Sequence, residues 1–254
     1  MAEHRFHTPG PIELDVQLPA GDVDVETVDG EESLVFVEGD ERLVEQTEVE
    51  FDGNLLSVAF RGKTPFGLAI SIGDFSFGNS SKLRIRTQVP HASRARLSSA
   101  SADMNLRGRL RSLEAKTASG DVVLSGEVEE DATLKTVSGD IRIDRVGGEL
   151  KLTTVSGDAN VRSIGGSVQA KTVSGDVRLE SVREGHVTLQ SVSGDIAVGV
   201  EAGTNLDVDA GSVSGDLSSE VPLGSDVASA AGDGPTLVVR GKSVSGDFRV
   251  FRAG

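Results

Sequence analysis

The residues of this chain whose types and spacing could do chemistry are aspartates that recur in a Ser-Gly-Asp motif. The aspartates of the seven complete copies and of one worn copy are Asp103, Asp121, Asp140, Asp158, Asp176, Asp195, Asp216 and Asp247. From the first to the sixth they follow one another at intervals of 18 or 19 residues. A period this short predicts a repeat architecture in which equivalent residues of successive repeats stack in a column.

Carboxylates stacked at roughly 5 Å repel one another unless something bonds or screens them. In a structural interpretation, each carboxylate accepts a backbone N–H of its own turn or the hydroxyl of a neighbouring serine, from the set Ser138, Ser156, Ser174 and Ser193. The alternative is a row of bound Ca²⁺, as in the nine-residue calcium repeats of secreted toxins, with the ligands Asp121, Asp140, Asp158, Asp176 and Asp195. Because the chain lacks the Gly-Gly-x-Gly element of those repeats, the sequence favours the structural interpretation. No other cofactor is indicated.

No group of residues has the spacing of a nucleophile with its base. The four histidines are scattered, at His4, His7, His91 and His186, and the chain has no cysteine. Parallel β-helices that cleave polysaccharides use clustered carboxylates and aromatic platforms for sugar rings, whereas this chain has no Trp and no Tyr. We therefore predict that the protein is not an enzyme and has no catalytic residues.

The repeat that carries the motif consists of two nine-residue halves. Asp140 to Gly148 reads DIRIDRVGG and Glu149 to Gly157 reads ELKLTTVSG, so both halves contain two alternating apolar residues, a valine and a glycine. Alternation with period two indicates a strand with one buried face, and the valine and glycine are expected to complete the core and bend the chain. We predict an all-β protein, a β-solenoid with coils of about 18 residues that form two parallel sheets, or three.

Two columns of apolar residues support stacked coils. The first column is Met104, Val122, Ile141, Ala159, Val177, Ile196 and Leu217, and the second is Leu106, Leu124, Ile143, Val161, Leu179 and Val198. Such columns are expected when each coil rests on the one before it. A left-handed hexapeptide helix also has coils of about 18 residues, but it needs an aliphatic residue every six positions, and here the period is nine.

The first 90 residues are predicted to form an N-terminal β segment, ahead of a solenoid over residues 91–254. Residues 22–30, DVDVETVDG, already match the nine-residue unit, with Val23, Val25 and Val28 in its apolar positions. Residues 40–81 interrupt the repeat and begin with two strands joined at 52–54, Asp-Gly-Asn, which predicts a hairpin.

A segment rich in Gly and Phe follows this hairpin, over residues 63–81. Exposed aromatic residues can form an adhesive patch. We predict that the partner-binding residues are Phe66, Phe75 and Phe77. At the other end of the repeats, residues 218–235 are expected to form a bulge or loop before the last motif closes the array.

Composition limits the partners and the compartment. The net charge of −15 and the pI of about 4.7 argue against nucleic acid, which requires clustered Lys and Arg. No apolar run is long enough to predict an integral membrane segment. The first residues contain acids and histidines where a secretory signal has an apolar core, so we expect a cytoplasmic protein, or an envelope-associated one if a signal or anchor has been removed.

The layout resembles the bacterial putative-adhesin domain family of β-strand repeats, a domain of unknown function. The resemblance rests on an N-terminal β segment, a Val-Pro step at 89–90 and the repeated motif up to Asp247. It implies a β-solenoid without a known catalytic site, often attached to the bacterial envelope.

The functional prediction is a non-enzymatic scaffold that presents a regular surface to a protein partner or to copies of itself. The first alternative is a structural protein that stacks end to end into filaments, as bactofilins do. The second alternative is a β-helix that binds or cleaves an envelope polysaccharide.

Overall fold

The computed structural model describes residues 1–61, 83–221 and 234–253. These residues form twenty strands and one short helix, which confirms the predicted all-β class. The elements are β1 (Ala2–His7), β2 (Glu13–Val28), β3 (Glu32–Glu38), α1 (Glu41–Glu45), β4 (Thr47–Asp52), β5 (Leu55–Phe60), β6 (Arg84–Pro90), β7 (Ser93–Lys116), β8 (Val122–Val128), β9 (Ala132–Lys135), β10 (Ile141–Val146), β11 (Leu150–Thr153), β12 (Ala159–Ile164), β13 (Val168–Lys171), β14 (Val177–Val182), β15 (Gly185–Gln190), β16 (Ile196–Val200), β17 (Asn205–Ser212), β18 (Leu217–Ser219), β19 (Thr236–Ser243) and β20 (Phe248–Arg252).

The strands form a β-solenoid, as predicted, and of the two arrangements that the sequence left open it has the one with two faces. In spatial order the first face contains β1, β3, β6, β2, β7, β8, β10, β12, β14, β16, β20 and β18. The second face contains β4, β5, β2, β7, β9, β11, β13, β15, β19 and β17. The long strands β2 and β7 bend around the rod and belong to both faces, so the sheet is continuous.

The predicted apolar columns run through the core in register. Ile141, for example, pairs with Val122 on one side and with Ala159 on the other, and all three side chains are buried. The exception is Leu217, which is 48% exposed because it lies in the outermost coil and nothing among the described residues stacks beyond it.

At the N-terminal end the coil begins in β2, whose residues 13–26 pair in parallel with β7. Val23 and Val25 are buried as predicted, whereas Val28 is only half-buried and Thr27 is the inward residue. The predicted hairpin is confirmed, since β4 and β5 pair antiparallel around a turn in which Gly53 has a φ of +62°. The antiparallel strands β1 and β4 are the outermost strands of the two faces at this end.

At the C-terminal end the order of the strands differs from the order of the chain. β19 lies between β15 and β17, and β20 lies between β16 and β18. The last coil is therefore the penultimate layer, and the expectation that it closes the array was wrong. Its Leu237, Val239, Phe248 and Val250 are fully buried there. Because it buries more apolar surface than the coil of β17 and β18 could, placing it inside stabilises the rod.

Candidate functional site

The Ser-Gly-Asp turns form one long edge of the solenoid, which we call the motif edge. In spatial order its turns are residues 117–121, 136–140, 154–158, 172–176, 191–195, 243–247 and 212–216. Each turn carries the chain from the second face to the first, so equivalent residues stack along the rod at about 4.8 Å.

The aspartates of the motif edge form a hydrogen-bonded ladder. Except for the last, Asp216, each aspartate accepts with one carboxylate oxygen the backbone N–H of the aspartate in the next coil, at 2.8–3.1 Å. In spatial order the ladder is Asp103, Asp121, Asp140, Asp158, Asp176, Asp195, Asp247 and Asp216. The sequence predicted a donor within the same turn or a serine hydroxyl, but the donor is a neighbouring coil, because parallel stacking brings that N–H directly over the carboxylate.

The serines of the motif bond to carbonyl oxygens. Ser156 donates both its backbone N–H, at 2.8 Å, and its hydroxyl, at 3.2 Å, to the carbonyl oxygen of Val137 in the preceding coil. Five further serines donate their hydroxyls in the same way at 3.1–3.3 Å, namely Ser138, Ser174, Ser193, Ser214 and Ser245. The turn backbone is thus tied to its neighbour at every layer.

Within the residues that the structure describes, no three His, Asp or Glu side chains come together in a group that could hold a metal ion. Asp121, Asp140, Asp158, Asp176 and Asp195 are stacked in one column, and each uses one carboxylate oxygen for the ladder. The predicted Ca²⁺ row therefore stays a prediction, and at Asp140 the second carboxylate oxygen also accepts a hydrogen bond, from Arg142 at 3.1 Å.

A hydroxyl residue closes each turn of the motif edge, and it is buried in every turn except the outermost, where Ser212 is half-buried. The side-chain oxygen of Thr154 accepts the N–H of Gly157 at 3.0 Å and the threonine is only 2% exposed. The same hydrogen bond is made by Thr117, Thr136, Thr172, Ser191, Ser212 and Ser243. The inward position of the turn therefore belongs to a polar residue, whose hydroxyl satisfies a buried backbone donor.

The glycine of each motif is required by the neighbouring coil. A Cβ on Gly157 would lie 2.0 Å from the carbonyl oxygen of Gly139, and the other complete turns have similar approaches. The φ angle of Gly157 is not in the positive range that favours glycine. The sequence predicted that glycine permits the bend, but what the structure demands at this position is space for stacked backbones.

The valine of each motif points out into solvent. Val137, Val155, Val173, Val192 and Val244 are 41–49% exposed, and Val213 in the outermost coil is 82% exposed. The prediction that this valine completes the core was wrong, because the threonine or serine before it occupies the inward position. We call the row the valine ladder, which in spatial order contains Ala118, Val137, Val155, Val173, Val192, Val244 and Val213.

Two polar columns flank the valine ladder. On the side of the second face, two residues before each member except Val213, which has Gly211 there, lie the exposed side chains of Lys116, Lys135, Thr153, Lys171, Gln190 and Lys242. On the side of the first face lie the aspartates. The motif edge therefore has a cationic flank and an anionic flank, with an apolar row between them.

A groove of about 520 Å³ opens at the N-terminal end of the valine ladder. Its apolar lining comes from Leu18, Pro19, Phe60, Ala100, Ala118 and Val137, so the first two ladder members form part of its wall. Lys116 stands at the same groove and is hydrogen-bonded to Glu114. That bond, together with Arg96, holds the pKa of the Glu114 carboxyl below its ordinary value of 4.5, although partial burial opposes the shift.

The four histidines lie in three separate places. His91 bonds to Thr27 of β2 at 2.7 Å, His4 and His7 both lie on β1, where His4 stacks on Phe6, and His186 lies on β15. The predicted partner-binding residues Phe66, Phe75 and Phe77 lie outside the described residues. Sequence reasoning missed the valine ladder, although the alternation Leu150, Leu152, Thr154 already places the next residue outward.

Comparison with known proteins places the chain in a family. A family model described as Toastrack DUF4097 matches residues 12–250. Among solved structures, a putative adhesin from Bacteroides fragilis is similar, with a TM-score of 0.55 and 11% identity over 98% of this chain and 96% of that one. At this identity the likeness shows a shared fold.

Two structures from Parabacteroides distasonis are also similar in coverage, each spanning 98% of this chain and 96% of the other. One is a putative adhesin, with a TM-score of 0.46 and 16% identity, and the other a putative lipid binding protein, with a TM-score of 0.48 and 15% identity. No match was found among curated proteins. Over the described ranges, no helix is long and apolar enough to cross a membrane.

Proposed function

Because this chain belongs to the Toastrack family, DUF4097, and carries a regular apolar row on one edge, we propose that it is a non-enzymatic, adhesin-like β-solenoid that binds a protein partner through the motif edge. The family assignment agrees with the resemblance drawn from the Ser-Gly-Asp array. The solenoid fold supplies a straight, stiff surface, and the function resides in what that surface exposes.

The observation that carries this proposal is the valine ladder. Single exposed valines are ordinary on a protein surface, but six of them in consecutive coils, each at least 41% exposed, make one contiguous strip. The strip presents roughly 400 Å² of apolar surface, the size of the largest patch on a typical monomer, which is often a binding site.

The backbone beneath the valine ladder is held rigid. Carbonyl oxygens of ladder residues accept hydrogen bonds from the next serine, and the aspartate ladder ties the far side of each turn. The solenoid therefore loses little conformational freedom when a partner binds this edge. Preorganisation of this kind favours affinity. The lysine flank and the aspartate flank add polar contacts that fix the partner's orientation.

Affinity capture with matched variants tests the proposal. The baits are the wild-type chain, the ladder variant Val155→Glu with Val173→Glu, and a control, Ser125→Glu with Gln169→Glu, that adds the same charge at exposed positions of β8 and β13. We expect a protein that is recovered by the wild type and the control but lost with the ladder variant, because glutamate places a charge in the apolar contact. Equal recovery by all three baits contradicts the proposal.

A fourth bait, lacking residues 63–81, tests the aromatic segment that the sequence singled out. Loss of the partner with this deletion but not with the ladder variant would assign binding to Phe66, Phe75 and Phe77 instead of the motif edge. Capture is run with and without Ca²⁺, and from both cytoplasmic and envelope fractions, because the sequence leaves both compartments open. Circular dichroism of each bait verifies that the β structure is retained.

A further inference from the structure

We infer that the partner of the motif edge is a second copy of this chain, which packs its valine ladder against the first with the two rods parallel and in register. The inference rests on the proposed function and names the class of partner. It follows from three properties of the motif edge: the order of its charges, its repeat distance and its area.

The order of charges across the edge is self-complementary in only one orientation. Lys116, Lys135, Lys171 and Lys242 lie on one side of the ladder, and the aspartates lie on the other. When two such edges face each other about a two-fold axis along the rod, the lysines of one copy oppose the aspartates of the other. Rotation about an axis across the rod instead sets lysines against lysines and aspartates against aspartates, which repel.

The repeat distance of the ladder also selects this partner. Successive valines are about 4.8 Å apart, whereas an extended peptide presents the side chains of one face at about 6.6–6.8 Å. A peptide laid along the ladder loses register within a few residues. A second solenoid repeats at the same distance, and a two-fold axis along the rod keeps each layer opposite its own counterpart over the whole ladder.

The area of the edge predicts a weak complex. Seven ladder members span about 29 Å, and the strip from lysine to aspartate is about 12 Å wide, so two copies together bury on the order of 700 Å². Specific stable interfaces bury about 1,600 Å² in total, and contacts below about 1,200 Å² belong to transient pairs. The dimer therefore forms at high local concentration and dissociates on dilution.

Sedimentation equilibrium tests association through the ladder. Between about 10 µM and about 500 µM, the range for so small an interface, we expect a reversible monomer–dimer equilibrium for the wild type and for the Ser125→Glu/Gln169→Glu control. The Val155→Glu/Val173→Glu variant is expected to weaken association at least tenfold. A wild type that stays monomeric, a dimer that the ladder variant leaves unchanged, or growth into longer polymers each overturns the inference.

Single cysteines test the orientation, since the natural chain contains none. Val137→Cys and Val244→Cys lie four layers apart, about 19 Å. In the parallel pair each cysteine faces its twin, so each variant alone forms a disulfide-linked dimer on mild oxidation. In an antiparallel pair neither variant does so alone, and only a mixture of the two is cross-linked, which overturns the parallel arrangement.

The outcomes separate this inference from the proposed function. If the chain stays monomeric while the ladder variant still loses a captured protein, the second copy is excluded and the motif edge remains a binding surface. If the ladder variant changes neither capture nor association, both proposals fail.

Discussion

The two edges of the solenoid have the same nine-residue pattern and opposite surfaces. On the motif edge Val155 is 41% exposed, whereas Val146, which holds the equivalent position in the other half of the repeat, is fully buried at the opposite edge. The turns of that opposite edge are chemically varied, with Glu129-Glu130-Asp131 in one coil, Gly147-Gly148-Glu149 in the next and Gly165-Gly166-Ser167 in the third. The motif edge instead repeats Ser-Gly-Asp in each of its seven turns.

The cause of the difference is one break in alternation. In β11 strict alternation buries Leu150 and Leu152, continues to bury Thr154, and so leaves Val155 outside. In β10 two consecutive residues, Asp144 and Arg145, face outward, and this extra residue returns Val146 to the core. A shift of one residue in a strand exchanges its two faces. The comparison teaches that a residue's position relative to the break, and not its type, decides whether it belongs to the core or to the binding edge.

The largest effect is expected from the glycines of the two edges. In Gly157→Ala on the motif edge the new Cβ would lie 2.0 Å from the carbonyl oxygen of Gly139, and in Gly165→Ala on the opposite edge it would lie 2.7 Å from that of Gly147. Both atoms belong to backbone that cannot move alone, so we expect losses in the free energy of unfolding of about 3 kcal/mol for the first and about 1 kcal/mol for the second. Urea unfolding measures both, and Gly10→Ala, which meets no atom within 4 Å, is the control. Equal losses at the two edges would contradict the comparison.

A smaller effect is expected from exchanging polar and apolar residues at the turns. Thr154→Val removes the acceptor of the buried Gly157 N–H and should cost about 2 kcal/mol in the free energy of unfolding. Val146→Thr buries an unpaired hydroxyl at the opposite edge and should cost about 1.5 kcal/mol. Val155→Thr changes an exposed side chain and should stay within about 0.5 kcal/mol. Thermal and urea unfolding check the order, and a Val155→Thr loss as large as that of Val146→Thr would show that the motif valine is a core residue.

The smallest effect concerns calcium. Since one carboxylate oxygen of aspartates such as Asp140 and Asp158 is already bonded to a backbone N–H, we expect Ca²⁺ to leave the melting temperature unchanged, whereas a ligand that binds the folded state raises it with the logarithm of its concentration once that exceeds the dissociation constant. Differential scanning calorimetry with and without a chelator measures the difference. A rise that depends on Ca²⁺ concentration and disappears in Asp158→Asn would instead establish the predicted calcium row.

Much of the fold was predictable because stacked coils repeat their chemistry in the sequence. The spacing of the aspartates defined the coil, and columns such as Val122, Ile141 and Ala159 defined the core. The hairpin was predictable from its Asp-Gly-Asn turn, since turn chemistry is local. The insertion of β19 and β20 under β17 and β18 was not, because the choice between two coils of similar sequence depends on how much surface each buries against the same neighbour.

The candidate site was predictable only in part. The repetition of Thr-Val-Ser-Gly-Asp marked the motif edge. The prediction that its valine lies in the core was wrong because the valine was assumed to be buried in both nine-residue halves of the repeat. Thr154 is a buried acceptor because its hydroxyl meets the N–H of Gly157, 3 residues further along the chain. Gly157 is crowded because the backbone of Gly139, one coil away, lies against it. Neither contact can be predicted from the composition of the chain or from the spacing of the motif.

By itself, the sequence determined that the chain is a β-solenoid, how long each coil is, and which residues recur at each layer, because these properties follow from periodicity along one chain. Only the tertiary structure decided which side of each turn faces water. That choice depends on where alternation breaks and on which backbone lies beneath each glycine, and both arise from contact between coils that are 18 or 19 residues apart in the chain. Each motif turn therefore contributes one residue to the valine ladder, and these residues form a continuous surface only when the coils are stacked.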